Sequence, residues 1–182
     1  MQWKNTASRY GTLSRGLHWL TLLVFVGVYA CMELHGEFAK GSDARAALLT
    51  WHFMLGLLVL VLLLPRIAAR FSGPVPDIAP TPPAWQQLGA KLLHLALYAF
   101  MIVMPLLGWA LLSASGKHIP FFGLDLPPLL GADKALAKTL KEIHETLGNA
   151  GYFLIGLHTL AALYHHYVVH DNTLLRMLPE RK

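Results

Sequence analysis

Four long stretches without a charged residue constrain this chain more than any other feature. Gly16–Met32, Ala46–Pro65, Leu92–Gly116 and Thr146–His170 contain no Asp, Glu, Lys or Arg and run 17, 20, 25 and 25 residues. A helix rises about 1.5 Å per residue, so crossing the hydrocarbon core of a bilayer takes about 20 mostly apolar residues, with about 17 as the lower limit. All four meet that limit, the first more comfortably if Leu17 opens the span and Leu34 closes it. Charged residues make up 14% of the chain, against roughly 25% in soluble domains. The expected fold is an all-α integral membrane four-helix bundle. It forms a single domain over residues 1–182, with spans at about 16–35, 46–66, 91–114 and 144–170.

The first run is too long for the apolar segment of a cleaved signal, and Glu33-Leu34-His35-Gly36-Glu37 offers no small-residue cleavage site. Cys31 is the only cysteine, which excludes an internal disulfide, an iron–sulfur site and a Cys-x-x-Cys-His attachment. The net charge of +5 sits at helix ends, where membrane proteins place basic residues, and does not indicate a nucleic-acid partner.

Four spans put both termini on one side. The N-terminus, second loop and C-terminus hold nine basic residues: Lys4, Arg9, Arg15, Arg66, Arg70, Lys91, Arg176, Arg181 and Lys182. The first and third loops hold six: Lys40, Arg45, Lys117, Lys134, Lys138 and Lys141. The positive-inside rule places both termini in the cytoplasm. Phe71–Pro83, with five prolines, reads as an extended connector without a core. In the long loop Ser113–Lys141, Phe121-Phe122 and Pro127-Pro128-Leu129-Leu130 are expected against the bilayer surface. Asp133 reads as the N-cap of a helix that continues into the fourth span. Trp19, Trp51, Trp85 and Trp109 lie at or near span ends, as interfacial belts require.

Ten histidines are present, several inside the apolar runs, where an ionisable side chain is costly and marks function by default. The direction of each span sorts four of them by depth. His18 lies near the inner face and His52 near the outer. His144 is outer, and His158, 14 residues further along the same helix, is roughly 21 Å deeper. Fourteen residues at about 100° each return to within roughly 40° of the same face, so both point to one side. Gly148, Gly151 and Ile155 lie between them on that face, with Ala162 below, and Gly56 is one turn from His52. Small residues there allow close helix packing in lipid, and they also leave room for a porphyrin. Two neutral imidazoles from facing helices at each of two depths match the axial positions of two haems. Zinc takes three or four ligands at one point, commonly thiolate or carboxylate among them, and no acid lies inside these spans. With both axial positions filled by protein, such a group passes electrons rather than binding oxygen.

His165, seven residues after His158, returns to nearly the same face at the inner boundary, and Arg15 precedes His18 by one turn. Both are candidates for a quinone head group, with interfacial anchoring for His165, and topology or haem-propionate pairing for Arg15, as the plainer roles. His94 opens the third span without a partner and is expected in a core or interface role. His166 and His170 are expected at the interface, and His35 and His118 in solvated loops. Lys134, Lys138 and Lys141 form a stripe above the outer histidines. It reads as a solvated face, or as a collector of anions.

Several segments together resemble the bacterial cytochrome b561 family. They are Arg15-Gly-Leu-His18-Trp19, Trp51-His52-Phe-Met-Leu-Gly56, Met104-Pro105-Leu-Leu-Gly108-Trp109 and His144-Glu-Thr-Leu-Gly. His158-Thr-Leu-Ala-Ala-Leu-Tyr164-His165-His166 and Leu175-Arg176-Met177-Leu178-Pro179 complete the match, which spans nearly the whole chain. The resemblance implies a di-haem b protein of the bacterial inner membrane linked to ubiquinone, with His18 and His158 on the inner haem and His52 and His144 on the outer. In its short stand-alone members it implies a superoxide:ubiquinone oxidoreductase, a superoxide oxidase that moves electrons from periplasmic superoxide to ubiquinone. Lys117, Lys134, Lys138, Lys141 and Arg45 would then attract the anion. The alternative is a haem-b membrane anchor coupling quinone to a soluble dehydrogenase or hydrogenase. A transporter using histidines as proton relays is the non-redox alternative.

Overall fold

A computed structural model describes residues 3–179. Arg181 and Lys182, two of the nine basic residues counted above, lie outside the described residues. Four long helices dominate: α1 (Thr12–His35), α2 (Asp43–Phe71), α3 (Ala84–Ala114) and α4 (Lys134–Tyr164). They cover the four uncharged runs, except that α3 ends at Ala114, two residues before Gly116, and that helical geometry changes after Tyr164. The last turns become a π-helix, α5 (His165–Val169), and a short 3₁₀ turn, α6 (Leu175–Met177), follows. Each long helix exceeds its apolar run at one or both ends. α4 does so by three turns, starting where Asp133 Oδ1 accepts from the Ala135 and Leu136 amides at 2.9 and 3.0 Å. That is the N-cap the sequence indicates.

α1, α2 and α3 are long and apolar enough to cross a membrane. α4 falls short of the same measure: Lys138, Lys141, Glu142 and Glu145 occupy its start, and two histidines, an asparagine and three glycines dilute the rest. Many large apolar side chains face outward along the helices, including Leu23, Leu64, Leu95 and Phe153 at 66–79% exposure. Water would penalise such surface and lipid does not. The chain is a multi-pass membrane protein.

Contacts group into two compact units, and every long helix contributes a segment to each. The first contains residues 3–19, 64–100 and 150–179. Here Asn5, 5% exposed, accepts at Oδ1 from the Gly11 amide (2.9 Å) and the Ser14 hydroxyl (2.8 Å), which ties down the entry to α1. A side chain at Gly11 would put Cβ 2.3 Å from the Trp3 carbonyl oxygen, so only glycine permits this turn. The tail folds back on the same end. Arg15 Nη1 donates to the Leu178 carbonyl at 2.7 Å and Trp19 Nε1 to that of Met177 at 2.9 Å. The proline-rich connector is extended as expected, and it is also pinned: Asn172 bonds Asp77 and Ala79, and Arg176 donates to the Pro76 carbonyl.

The second unit contains residues 20–63 and 101–149. Arg45 Nη1 holds the α1–α2 turn through the carbonyls of His35 (3.0 Å) and Phe38 (3.2 Å). The loop after α3 forms a two-stranded antiparallel hairpin, β1 (Pro120–Phe121) and β2 (Leu124–Asp125), closed by Gly123 at φ +88°. Phe122, Leu129 and Leu130 are exposed, as a surface-lying segment requires, but Phe121 departs from that expectation. Ile119, 1% exposed, packs with Leu57 and Leu112, and Phe53, Trp109, Phe121 and Leu126 close around them. Phe121 therefore joins a core, while Phe122 stays exposed.

Candidate functional site

Four of the ten histidines meet in two pairs, each within one unit. His18 of α1 and His158 of α4 have ring centres 6.2 Å apart, with planes at 62°. His52 of α2 and His144 of α4 have ring centres 6.1 Å apart, at 82°. These are the pairs expected from depth. A transition metal bound by two imidazole nitrogens at about 2 Å each, with each ring centre about 1 Å behind its nitrogen, sets the centres about 6 Å apart. Both separations match that requirement.

The surroundings of the His52–His144 pair suit ligation. His52 Nδ1 lies 3.0 Å from the Val28 carbonyl. A carbonyl only accepts, so Nδ1 carries the proton and Nε2 keeps its lone pair, the usual way a second contact orients a metal-binding imidazole. His144 Nδ1 is buried with no hydrogen-bond partner. Helix α3 approaches the His144 ring through Gly108, where a Cβ would stand 3.4 Å from Cε1. Tyr29 donates to the Gly148 carbonyl at 2.9 Å, fixing α1 to α4 one turn from His144. A Cβ at Gly56 would meet no atom within 4 Å, so α2 leaves open space one turn from His52. These residues fit a planar bis-imidazole-ligated group.

The His18–His158 pair carries two neighbours that the sequence did not assign to it. His94 of α3 stands 5.5 Å from His158. Its expected role apart from the histidine layers is therefore corrected: it joins this cluster, and is the most exposed of the three rings. Arg66 of α2 places Nη1 and Nη2 3.5 and 3.4 Å from His18 Nδ1 and also reaches the Leu17 carbonyl and Tyr98. Counting basic residues gave Arg66 only a topological role. Its place directly after an uncharged run was the available signal, because a charge at that depth needs a partner.

The remaining candidates separate. His165 Nδ1 lies 2.5 Å from Oδ2 of Asp171, whose side chain is fully buried. The π-helical turn makes this possible: His170 adopts a left-handed conformation and the Asp171 amide returns to the His165 carbonyl. Burial raises the Asp171 carboxyl, but hydrogen bonds from His165 and Thr173 outweigh it and hold the group below the usual carboxylate range. Arg15 engages the Leu178 carbonyl, and no contact among the described residues joins it to His165. Lys138 and Lys141 pair with Glu142 and Glu145 at 4.0 and 3.4 Å, exposed pairs of the kind worth little. Lys117 and Lys134 make no ion pair among the described residues. His118, fully exposed, is raised by its hydrogen bond to Asp125.

Membrane-crossing helices that bring imidazoles together in pairs at metal-bridging separation define a membrane cytochrome of the b type. The chain belongs to the prokaryotic cytochrome b561 family, whose model matches residues 9–180. It is therefore a haem b electron-transfer protein of the membrane. It is 43% identical to cytochrome b561 homolog 1 of Escherichia coli K12, over 96% of this chain and 99% of that protein. It is 39% identical to the probable superoxide oxidase CybB of Yersinia pestis, over 96% and 98%. Cytochrome b561 homolog 2 of Escherichia coli K12 is 32% identical over 98% and 95%.

Proposed function

We propose that the chain holds two haems b and works as a superoxide:ubiquinone oxidoreductase of the bacterial inner membrane. The observation that carries the two-haem reading is the near-equal spacing of two separate histidine pairs, 6.2 and 6.1 Å. His18 with His158 and His52 with His144 would hold the two haems, α4 is the fourth crossing, and both termini are cytoplasmic. Haem held by two histidines in this way would supply one-electron transfer. The Yersinia pestis relative, a probable superoxide oxidase 39% identical over 98% of its own length, supports superoxide as the donor.

The protein's part is attraction, separation and delivery. Lys117 and Lys134 draw superoxide to the outer face. Lys138, Lys141 and Arg45 contribute less, because two are paired with glutamates and the third holds a turn. His165 and Arg15 receive the quinone head group on the inner side, and Asp171 keeps the His165 proton on Nδ1. Two superoxide anions, one ubiquinone and two protons give two molecules of oxygen and one ubiquinol, so charge and atoms balance.

Anaerobic mixing of the purified protein with a superoxide source tests the reading. Haem bands should reduce, superoxide dismutase should abolish the reduction, and added ubiquinone should reoxidise them. Reduction only through a co-purifying soluble subunit would overturn the superoxide assignment in favour of a membrane anchor.

A further inference from the structure

Arg66 is a half-buried guanidinium whose partners are the Leu17 carbonyl, the Tyr98 hydroxyl and the His18 ring. None is an acid. Its Nε is buried without any partner. The charged groups bearing on His18, His94 and His158 are all arginines: Arg66 on each, joined at His94 by Arg70 and Arg176. A cation in this setting is costly unless an anion compensates it.

Hydrogen-bond chemistry makes the same point independently. Arginine has donors only, so His18 Nδ1 is the acceptor in its contact with Arg66. A neutral imidazole has one acceptor nitrogen. If His18 binds a metal through Nε2, Nδ1 carries the proton, and guanidinium and imidazole then face each other donor to donor. Ligation by His18 therefore frees the Arg66 fork to take another acceptor, and a planar bidentate acceptor suits it best.

We infer that Arg66 binds a propionate carboxylate of the haem held by His18 and His158, with Tyr98 supporting the guanidinium. This rests on the proposed pairing of those two histidines. Arg66 is a cofactor-positioning residue and the principal positive charge beside that iron. It stabilises the propionate against the apolar surroundings and favours the reduced state.

Redox titration of the purified holoprotein, with haem content per chain, tests the inference in Arg66→Leu, Arg66→Lys and His18→Ala. His18→Ala identifies the haem concerned by removing it. In Arg66→Leu that haem should become about tenfold harder to reduce, a midpoint about 59 mV lower for one electron. Its bis-imidazole spectrum and the other haem's midpoint should not move. Arg66→Lys keeps the charge and should recover most of the midpoint. An unchanged midpoint in Arg66→Leu, with His18→Ala losing that haem, overturns the inference alone. Retention of both haems in His18→Ala overturns the pairing and the inference with it. If Arg66→Leu assembles without the haem, Arg66→Lys decides: haem regained supports a charge-bound carboxylate, and haem still absent overturns it.

Discussion

Replacing Asp171 with Asn removes one negative charge and almost no volume from a fully enclosed position. The carboxylate accepts from His165 Nδ1 at 2.5 Å through Oδ2 and from the Thr173 amide at 2.8 Å through Oδ1. The amide oxygen of Asn can keep one of these bonds, and its NH₂ would face a donor at the other. A hydrogen bond to a charged group contributes about 1.5–3 kcal/mol, and leaving a buried donor unpaired costs about 1–3 kcal/mol more. The expected loss is about 3 kcal/mol at neutral pH, because no solvent reaches the side chain to screen it. The carboxyl lies below its ordinary value when folded. Its contribution is therefore fully present above the unfolded carboxyl pKa, about 3.9. It disappears as pH falls through the lower folded value. Unfolding of wild type and Asp171→Asn in detergent should differ at neutral pH, and the two curves should converge in acid as the carboxyl becomes protonated. A difference that does not depend on pH would refute the role given to the carboxylate charge. The Soret spectrum should be the same in both, since Asp171 belongs to neither histidine pair.

Three further outcomes follow from the geometry. His18→Ala and His158→Ala should each remove the same haem, and His52→Ala and His144→Ala the other, read by haem content per chain; crossed losses would break the pairing. A reporter fused after Lys182 should be active in the cytoplasm and one inserted at Gly116 outside, and the reverse pattern would invert the topology. Lys117→Gln with Lys134→Gln should slow haem reduction by superoxide and weaken its salt dependence, since exposed charges are screened over about 8 Å at physiological ionic strength. Lys138→Gln with Lys141→Gln should have the smaller effect, because both are already paired with glutamates.

The helices were legible because their causes are local. An uncharged run of 17–25 residues must satisfy its own backbone in lipid, and only a helix does that within one segment. The N-cap at Asp133 was legible for the same reason: a carboxylate two and three residues ahead of open amides needs no distant partner. The pairing of histidines was nearly legible. The 14-residue step from His144 to His158 fixes their common face on one helix, and alternating span direction assigns His18 and His52 to opposite depths.

What distinguishes the neighbours of each pair came only from tertiary structure. Periodicity relates a residue to its own helix axis; it says nothing of how far a facing helix is rotated or slid. That rotation brings His94 to 5.5 Å from His158 and turns Arg66 onto His18, although along the chain one has no partner and the other reads only as a topological signal. Asp171 was hidden for a related reason. A regular helix through His165 would carry the next residues away along its axis, whereas the π-helical turn and the left-handed His170 fold Asp171 back beneath the imidazole. Ile119 and Phe121 likewise read as an apolar loop until the hairpin set them against Leu57 and Leu112. Apolar composition specifies that a side chain leaves water, and only the packed chain decides whether it enters lipid or protein.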